Sequence, residues 1–266
     1  MTGEGRWALP DRAAALDRCT ARNKEHLRCV LDILGGQAKN AEQARAQQGA
    51  HMELLRILGE AKAGASLAVK PSLLGAPSDR KQCRSNLLEL ARAGLKRCVP
   101  VELDMEGRGL VDFTLQTALE AASRGLPVTL TLQAYLYRTA ADLERALDGR
   151  LRLRMVKGAY AGDTDDFLDI QTRMRNLCGR LLEAGADFCA GTHDPELIRW
   201  LEQNGSRRSL EFGFLMGIAD ETKLRLASSG WRVVEYVPFG TESGPYIARR
   251  RRYLKELERL GKAPAP

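Results

Sequence analysis

Four arginines in a row, at positions 249 to 252, follow "YVPFGTESGPY" in a stretch that patterns as the last helix. At about 100° per residue, Tyr246, Tyr253, Leu257 and Leu260 share one face of that helix. Arg249 and Arg250 fall inside this apolar arc, while Arg251 and Arg252 point away from it. A guanidinium on a core-facing stripe is costly unless an anion meets it. Two adjacent guanidinium forks suit a planar carboxylate. Anion binding is therefore the first chemistry this chain predicts.

Other polar residues close short apolar runs. Lys70 ends "LAVK" just before Pro71. It reads as a lysine snorkelling from a strand end, as a cation for a carboxylate, or as a Schiff-base amine. Asp104 ends "VELD" and serves either a structural ion pair or the orientation of a neighbouring cation. In "RMVKGAY", alternation puts Arg154 and Val156 on one face and Met155 on the other. Gly158 in that run lets a ligand approach the backbone. His193 lies in "GTHD", where Asp194-Pro195 suits a helix start. It either bonds local backbone or donates to an anionic or carbonyl group of a cofactor.

These residues need a frame that gathers them. Strand-like runs are predicted at 29–33, 67–70, 101–104, 128–133, 151–156, 187–190, 209–213 and 231–237. Helical patterns are predicted at 10–28, 40–59, 79–95, 110–124, 140–148, 164–184, 194–204, 218–229 and 244–260. The run at 29–33 carries the weakest strand signal of the eight, because it could continue the first helix. Eight strands, each followed by a helix, call for a parallel sheet closed into a (β/α)8 TIM-like barrel. Residues 1–28 would be a helical lead-in, 29–260 the barrel and 261–266 a disordered tail. Chemistry in such a barrel sits at the C-terminal strand ends. Those ends carry Lys70, Asp104, Gln133, Arg154, Lys157, Thr192, His193 and Tyr236, with "FGFLMG" as an apolar patch. The mouth is predicted to be cationic.

Composition narrows the classes. The chain has 266 residues, 44% hydrophobic and 28% charged, which is enough for one domain with a large core. A net charge of +7 is spread along the chain, and only the arginine run stands out. A dedicated nucleic-acid binder is not expected. The six cysteines form no CxxC pair and none has a histidine at finger-like spacing, so no zinc site is expected. Free thiols and the lack of a visible signal peptide predict a cytoplasmic protein. No dinucleotide glycine fingerprint, P-loop or serine nucleophile elbow is present.

The segments "LDILGG", "LAVKPSLLG", "VELDMEG", "LTLQAYLYRT", "LRMVKGAY", "GTHDPEL", "EFGFLMGI", "VVEYVPFG" and "PYIARR" occur in one order from about residue 30 to 254. In content and order they resemble the flavin-dependent proline dehydrogenases in their short, monofunctional form. The resemblance implies a distorted (β/α)8 barrel holding FAD over the strand ends, with the last helix over the mouth. It implies that Gln133, Arg154, Lys157, Gly158, Ala159, Thr192 and His193 contact the cofactor. It further implies that Lys70, Arg249 and Arg250 clamp a substrate carboxylate. Tyr160, Leu215, Tyr236 and Tyr246 would wall the substrate ring, and Asp104 would hold the polar network. The implied reaction is hydride transfer from proline to the flavin, giving Δ1-pyrroline-5-carboxylate, with electrons leaving to a quinone. A quinone acceptor implies transient contact with an anionic membrane. Tyr236 implies proline rather than hydroxyproline. The sequence departs from the family pattern at Tyr253 (glutamate), Gly36 (the glutamate of LGE) and Asp194 (asparagine). It is also short before the first strand, so helices that help close the site in relatives are expected to be missing. These departures leave room for another cyclic or N-substituted amino acid as substrate. A non-catalytic binding barrel is the third reading, disfavoured because the site cations are kept.

Overall fold

Strand-forming runs here are flanked by capped helices, and the chain closes them into a ring. The structure is a computed structural model and describes residues 6–266. Its strands are β1 (Arg28–Ile33), β2 (Ala65–Val69), β3 (Val101–Leu103), β4 (Val128–Gln133), β5 (Arg152–Val156), β6 (Phe188–Gly191), β7 (Leu210–Leu215) and β8 (Arg232–Phe239). They pair in sequence order as a closed parallel barrel. Closure is set at β1, where Val30 stands opposite Ser66 of β2 and Tyr236 of β8. Helix α1 (Arg12–Lys24) precedes β1. One helix then follows each strand: α2 (Ala41–Glu60), α3 (Arg80–Arg97), α4 (Val111–Ser123), α5 (Thr139–Asp148), α6 (Phe167–Glu183), α7 (Pro195–Asn204), α8 (Asp220–Ser228) and α9 (Gly244–Arg259). This is the expected (β/α)8 barrel. Side-chain carboxylates or amides of Asp11, Asn40, Asp79, Asp166 and Asp194 cap the helices they precede.

Strand alternation sorts the residues. Outward side chains such as Leu31, Leu67, Leu103, Leu130 and Met155 are buried against the helices in the main apolar core. Each such Leu contributes about 1.5–3 kcal/mol by leaving water. Inward positions carry most of the barrel's charge, around a thin apolar layer of Val30, Ala68, Cys189 and Val234. Gly94 of α3 lets that helix approach the sheet, since a Cβ there would lie 2.6 Å from the Val99 carbonyl oxygen.

Three local expectations change. The first helix does not run into β1. The Asn23 amide donates to Leu27 O at 2.9 Å and its oxygen accepts from Gly64 N at 2.9 Å, which folds the chain back before the strand. "FGFLMG" is not one apolar patch at the mouth. Gly213 and Leu215 share the inward register, and only Leu215, opposite Tyr236, offers a side chain there, whereas Phe212 packs outward on Trp231 at 5.2 Å. Residues 261–266, expected to be disordered, follow α9 as an extended segment with Ala265 buried and its amide donating to His193 O at 2.7 Å.

One outward residue, Glu235 of β8, is charged and fully buried. It accepts from Arg18 Nε at 2.7 Å, Arg22 Nη2 at 2.9 Å and Lys223 Nζ at 2.6 Å. The cluster pins α1 and α8 onto β8. Burial alone would raise the Glu235 pKa, but Lys223, Arg18 and Arg22 outweigh it and hold the carboxyl at about 2, below the ordinary 4.5. A carboxyl depressed by folding adds stability that is complete above its ordinary pKa and lost as pH falls through the folded value. Unfolding midpoints measured between pH 5 and pH 2 should therefore fall more steeply for the parent than for a Glu235→Gln variant. Parallel curves would show that Glu235 does not drive the acid limb.

Candidate active site

The floor of the C-terminal mouth is an ion network. Lys70 lies just past β2 and donates from Nζ to Asp32 Oδ1 at 2.5 Å, Asp104 Oδ2 at 2.9 Å and the Tyr236 hydroxyl at 3.0 Å. Tyr236 donates in turn to Asp104 Oδ2 at 2.6 Å. Burial would lower the Lys70 pKa, but Asp32 and Asp104 reverse this and hold the ammonium protonated. A Schiff-base lysine needs the opposite shift, so that alternative falls away. Burial raises the Tyr236 phenol, with Asp104 adding to it, so the hydroxyl keeps the proton it donates. Beneath Tyr236, Arg154 pairs with Glu102, and its guanidinium lies 5.5 Å from the Tyr236 ring centroid.

The matching of these charges changes the electrostatic picture. Lys70 meets two carboxylates and Arg154 meets one. Asp32 and Glu102 were not among the residues singled out from the sequence. The available signal was alternation, because both lie in strands at inward positions. Of Lys70, Arg154, Arg249 and Arg250, the surplus positive charge thus rests with the two arginines of α9.

Helix α9 lies beside the mouth as its faces predict. Arg249 and Arg250 are half-buried, and Arg251 and Arg252 are exposed. The Arg249 guanidinium sits 5.3 Å from the Tyr160 ring and 6.0 Å from the Tyr246 ring, and that of Arg250 lies 5.0 Å from the latter. Neither has a carboxylate within 4.0 Å among the described residues. Arg250 Nε and the Tyr246 hydroxyl are buried without a hydrogen-bond partner. Unsatisfied buried donors are costly, and a bound anion would satisfy them. The segment before α1 contributes here as well. Ala8 and the partly buried Trp7 pack with Leu34 and Tyr246, a contact no sequence pattern announced.

The other side of the mouth carries the predicted cofactor residues. Gln133 Nε2 donates to Met105 O at 2.8 Å, which leaves Oε1 buried and unpartnered. His193 Nε2 accepts from Leu215 N at 3.0 Å, so the ring proton sits on Nδ1. Burial, then Arg250, Lys223 and Lys157, hold its pKa well below the usual value, so the ring is neutral. Tyr253, at one of the departures, lies 6.0 Å from that ring. Thr192 Oγ1 accepts from Asp194 N at 3.1 Å. Lys157 Nζ donates to Asp194 Oδ2 at 3.4 Å and sits 4.2 Å from the Phe167 ring. Gly158 has φ 130°, and the Tyr135 ring stands 1.4 Å from where its Cβ would be, so no other residue fits. Ala159 beside it is exposed and Tyr160 half-buried. Among the described residues, no group of three His, Cys, Asp or Glu side chains is placed to hold a metal ion.

A sequence profile for the family described as proline dehydrogenase matches residues 15–166. Proline dehydrogenase 1 of Bacillus subtilis (strain 168) is 26% identical over 237 residues, covering 86% of this chain and 78% of the relative. Proline dehydrogenase of Deinococcus radiodurans is 35% identical over 159 residues, covering 56% of this chain and 51% of the relative. Among solved structures, proline utilization A from Bdellovibrio bacteriovorus superposes with a TM-score of 0.84 at 20% identity. That superposition covers 92% of this chain, which spans only 32% of the larger protein. The same protein from Corynebacterium freiburgense gives 0.79 at 17% identity, covering 96% of this chain and 31% of the other. At these identities the structural matches speak for the barrel alone.

Proposed function

The chain belongs to the proline dehydrogenase family, and from that premise we propose that it oxidises L-proline to Δ1-pyrroline-5-carboxylate with FAD, passing the electrons to a quinone. The observation that carries the reading is the pair Arg249 and Arg250, adjacent guanidiniums without a carboxylate within 4.0 Å among the described residues, at a mouth where Lys70 and Arg154 are matched. A planar substrate carboxylate fits paired guanidinium forks. Tyr160, Tyr246, Tyr236 and Leu215 would wall the ring attached to it. Lys70 and Asp104 act together, as a neutralised pair that fixes the Tyr236 hydroxyl. Two nearby guanidiniums also disfavour a protonated substrate amine. That is the right direction, since the amine must be neutral for its neighbouring C–H to leave as hydride.

The residues present fit a flavin. Gln133 Oε1 is a buried acceptor without a donor, and His193, whose Nε2 accepts from Leu215 N, carries its proton on Nδ1. Lys157 offers a cation, and the Gly158, Ala159 and Thr192 stretch offers backbone close to the mouth. Gln133, Arg154, Lys157, Gly158, Ala159, Thr192 and His193 would hold the cofactor. FAD, when bound, supplies the hydride acceptor. The protein's task is orientation: the arginines hold the carboxylate and the tyrosines hold the ring, so that one C–H faces the cofactor. Among the described residues no helix is long and apolar enough to cross a membrane. The exposed cations Arg252 and Lys255 on the outer face of α9 would suit transient contact with an anionic membrane that holds the quinone.

The purified protein should show flavin absorption, bleached by L-proline under anaerobic conditions. A protein that neither carries nor takes up flavin would sink the reading. Faster bleaching by another cyclic or N-substituted amino acid would move the substrate assignment to that compound.

A further inference from the structure

The segment that follows α9 builds onto the mouth of the barrel. Gly261, at φ 63°, turns the chain, and Lys262 N donates back to Leu257 O at 2.9 Å. Two backbone bonds then hold the segment across neighbouring units. Ala265 N donates to His193 O at 2.7 Å, and Pro266 O accepts from Thr222 N at 2.8 Å. Ala265 is 4% exposed. The strap is therefore docked on the loop that carries His193.

This docking brings a second lysine to the Lys157 side of the mouth. Lys262 Nζ lies 5.0 Å from the centroid of the Phe167 ring, the ring over which Lys157 Nζ sits at 4.2 Å. Lys262 Nζ donates to Gln171 Oε1 at 3.4 Å, while Gln171 Nε2 donates to Asp194. Lys157 Nζ reaches the same Asp194 oxygen at 3.4 Å. Asp194 thus pairs with Lys157 directly and is linked to Lys262 through Gln171, and its other oxygen caps α7 through Glu196 N and Leu197 N. Lys262 has no carboxylate within 4.0 Å among the described residues.

Charge counting gives these contacts a consequence. Asp194 cancels the charge of Lys157. Without Lys262 this edge of the mouth would have no surplus positive charge for a phosphate. With it, two ammoniums stand within about 5 Å of one aromatic ring and one carboxylate pairs with the first of them, an arrangement that favours an anion. His193, Thr192 and Gln133 border the same edge, so the anion in reach is part of the ligand those residues hold.

Resting on the flavin reading above, we propose that Lys262 binds a phosphate of the dinucleotide cofactor, completing with Lys157 a phosphate subsite that the strap carries into place. Asp194 sets the need for this second lysine.

The test is flavin binding rather than turnover. The full chain is freed of flavin by dialysis in concentrated salt, then titrated with FAD at low ionic strength, following quenching of flavin fluorescence. Lys262→Ala is expected to weaken FAD binding on the order of tenfold, the scale of one charge-assisted contact. Lys262→Arg is expected to stay near the parent. Lys262 is half-exposed and its backbone bonds do not need its side chain, so both variants should fold. Equal affinity of the parent and Lys262→Ala overturns the proposal. Equal weakening by Ala and Arg also overturns it, because the strap would then act through its shape and not its charge. If the parent itself binds no FAD, the flavin reading has failed, and that result is distinct from either of these.

Discussion

Arg249→Met is expected to raise the proline concentration for half-maximal flavin reduction about a hundredfold, with flavin still bound. The Arg249 guanidinium is half-buried between the Tyr160 and Tyr246 rings and meets no carboxylate among the described residues. A hydrogen bond to a charged group contributes roughly 1.5–3 kcal/mol, and a bidentate pair lies at the upper end of what one side chain supplies. Each 1.4 kcal/mol is about tenfold, so the upper half of that range gives the expected factor. Methionine keeps length and apolar contact while removing the charge. Arg250→Met should act in the same direction, because Arg250 Nε is buried without a partner and its loss removes a donor reserved for a ligand. Lysine at either position should recover only part of the loss, since one ammonium cannot reproduce the planar fork. Titrating anaerobic flavin bleaching with proline gives the binding term directly, and the ratio of flavin to protein absorbance gives occupancy. A variant that loses flavin while its response to proline is unchanged would transfer the arginines from the substrate to the cofactor.

Glu235→Ala is expected to cost on the order of 3–5 kcal/mol of folding stability, the scale of breaking a buried ion pair from one side. Glu235 is the fully buried centre on which Arg18, Arg22 and Lys223 converge. Lys223 is itself fully buried, and Arg22 is 5% exposed. With the carboxylate gone, Asp220 remains as their acidic neighbour, 2.5 Å from Arg22 and 2.9 Å from Lys223, but its side chain is half exposed and screened by water. It cannot replace a buried partner. Urea unfolding should show a lower midpoint with an unchanged slope. A loss below about 1 kcal/mol would mean that water enters the cluster and that the buried geometry is not what holds α1 to the barrel. Flavin absorption should survive in whatever fraction remains folded, because the cluster lies on the outer side of β8, away from the inward face that carries Tyr236.

The barrel was legible because its signal is local and repeated. Strand alternation separates Arg154 from Met155, and the structure puts the first inside against Glu102 and the second outside among the helices. The same alternation, applied to β7, would have left only Leu215 of "FGFLMG" at the mouth. An apolar run in a strand is not one surface: Phe212 and Phe214 face outward. Helical periodicity divided the arginine run correctly: 249 and 250 toward the tyrosines, 251 and 252 toward solvent.

Partner choice was not legible. Lys70 could have been a snorkelling lysine, a free cation or a Schiff-base amine until barrel closure placed Asp32, 38 residues earlier, against its ammonium. Residues 261–266 read as a disordered tail because they are a terminal stretch, yet their backbone pairs with His193 and Thr222 and carries Lys262 to the Phe167 ring. By itself, the sequence determined the eight-unit barrel, the ring of polar residues at the strand ends and the face on which Arg249 and Arg250 lie, since each follows from a repeat of two or 3.6 residues. Only the tertiary structure decided which charges are cancelled and which remain for a ligand. That depends on strand closure and on contacts between segments far apart in the chain, where a difference of a few ångströms separates an ion pair from an unmatched charge.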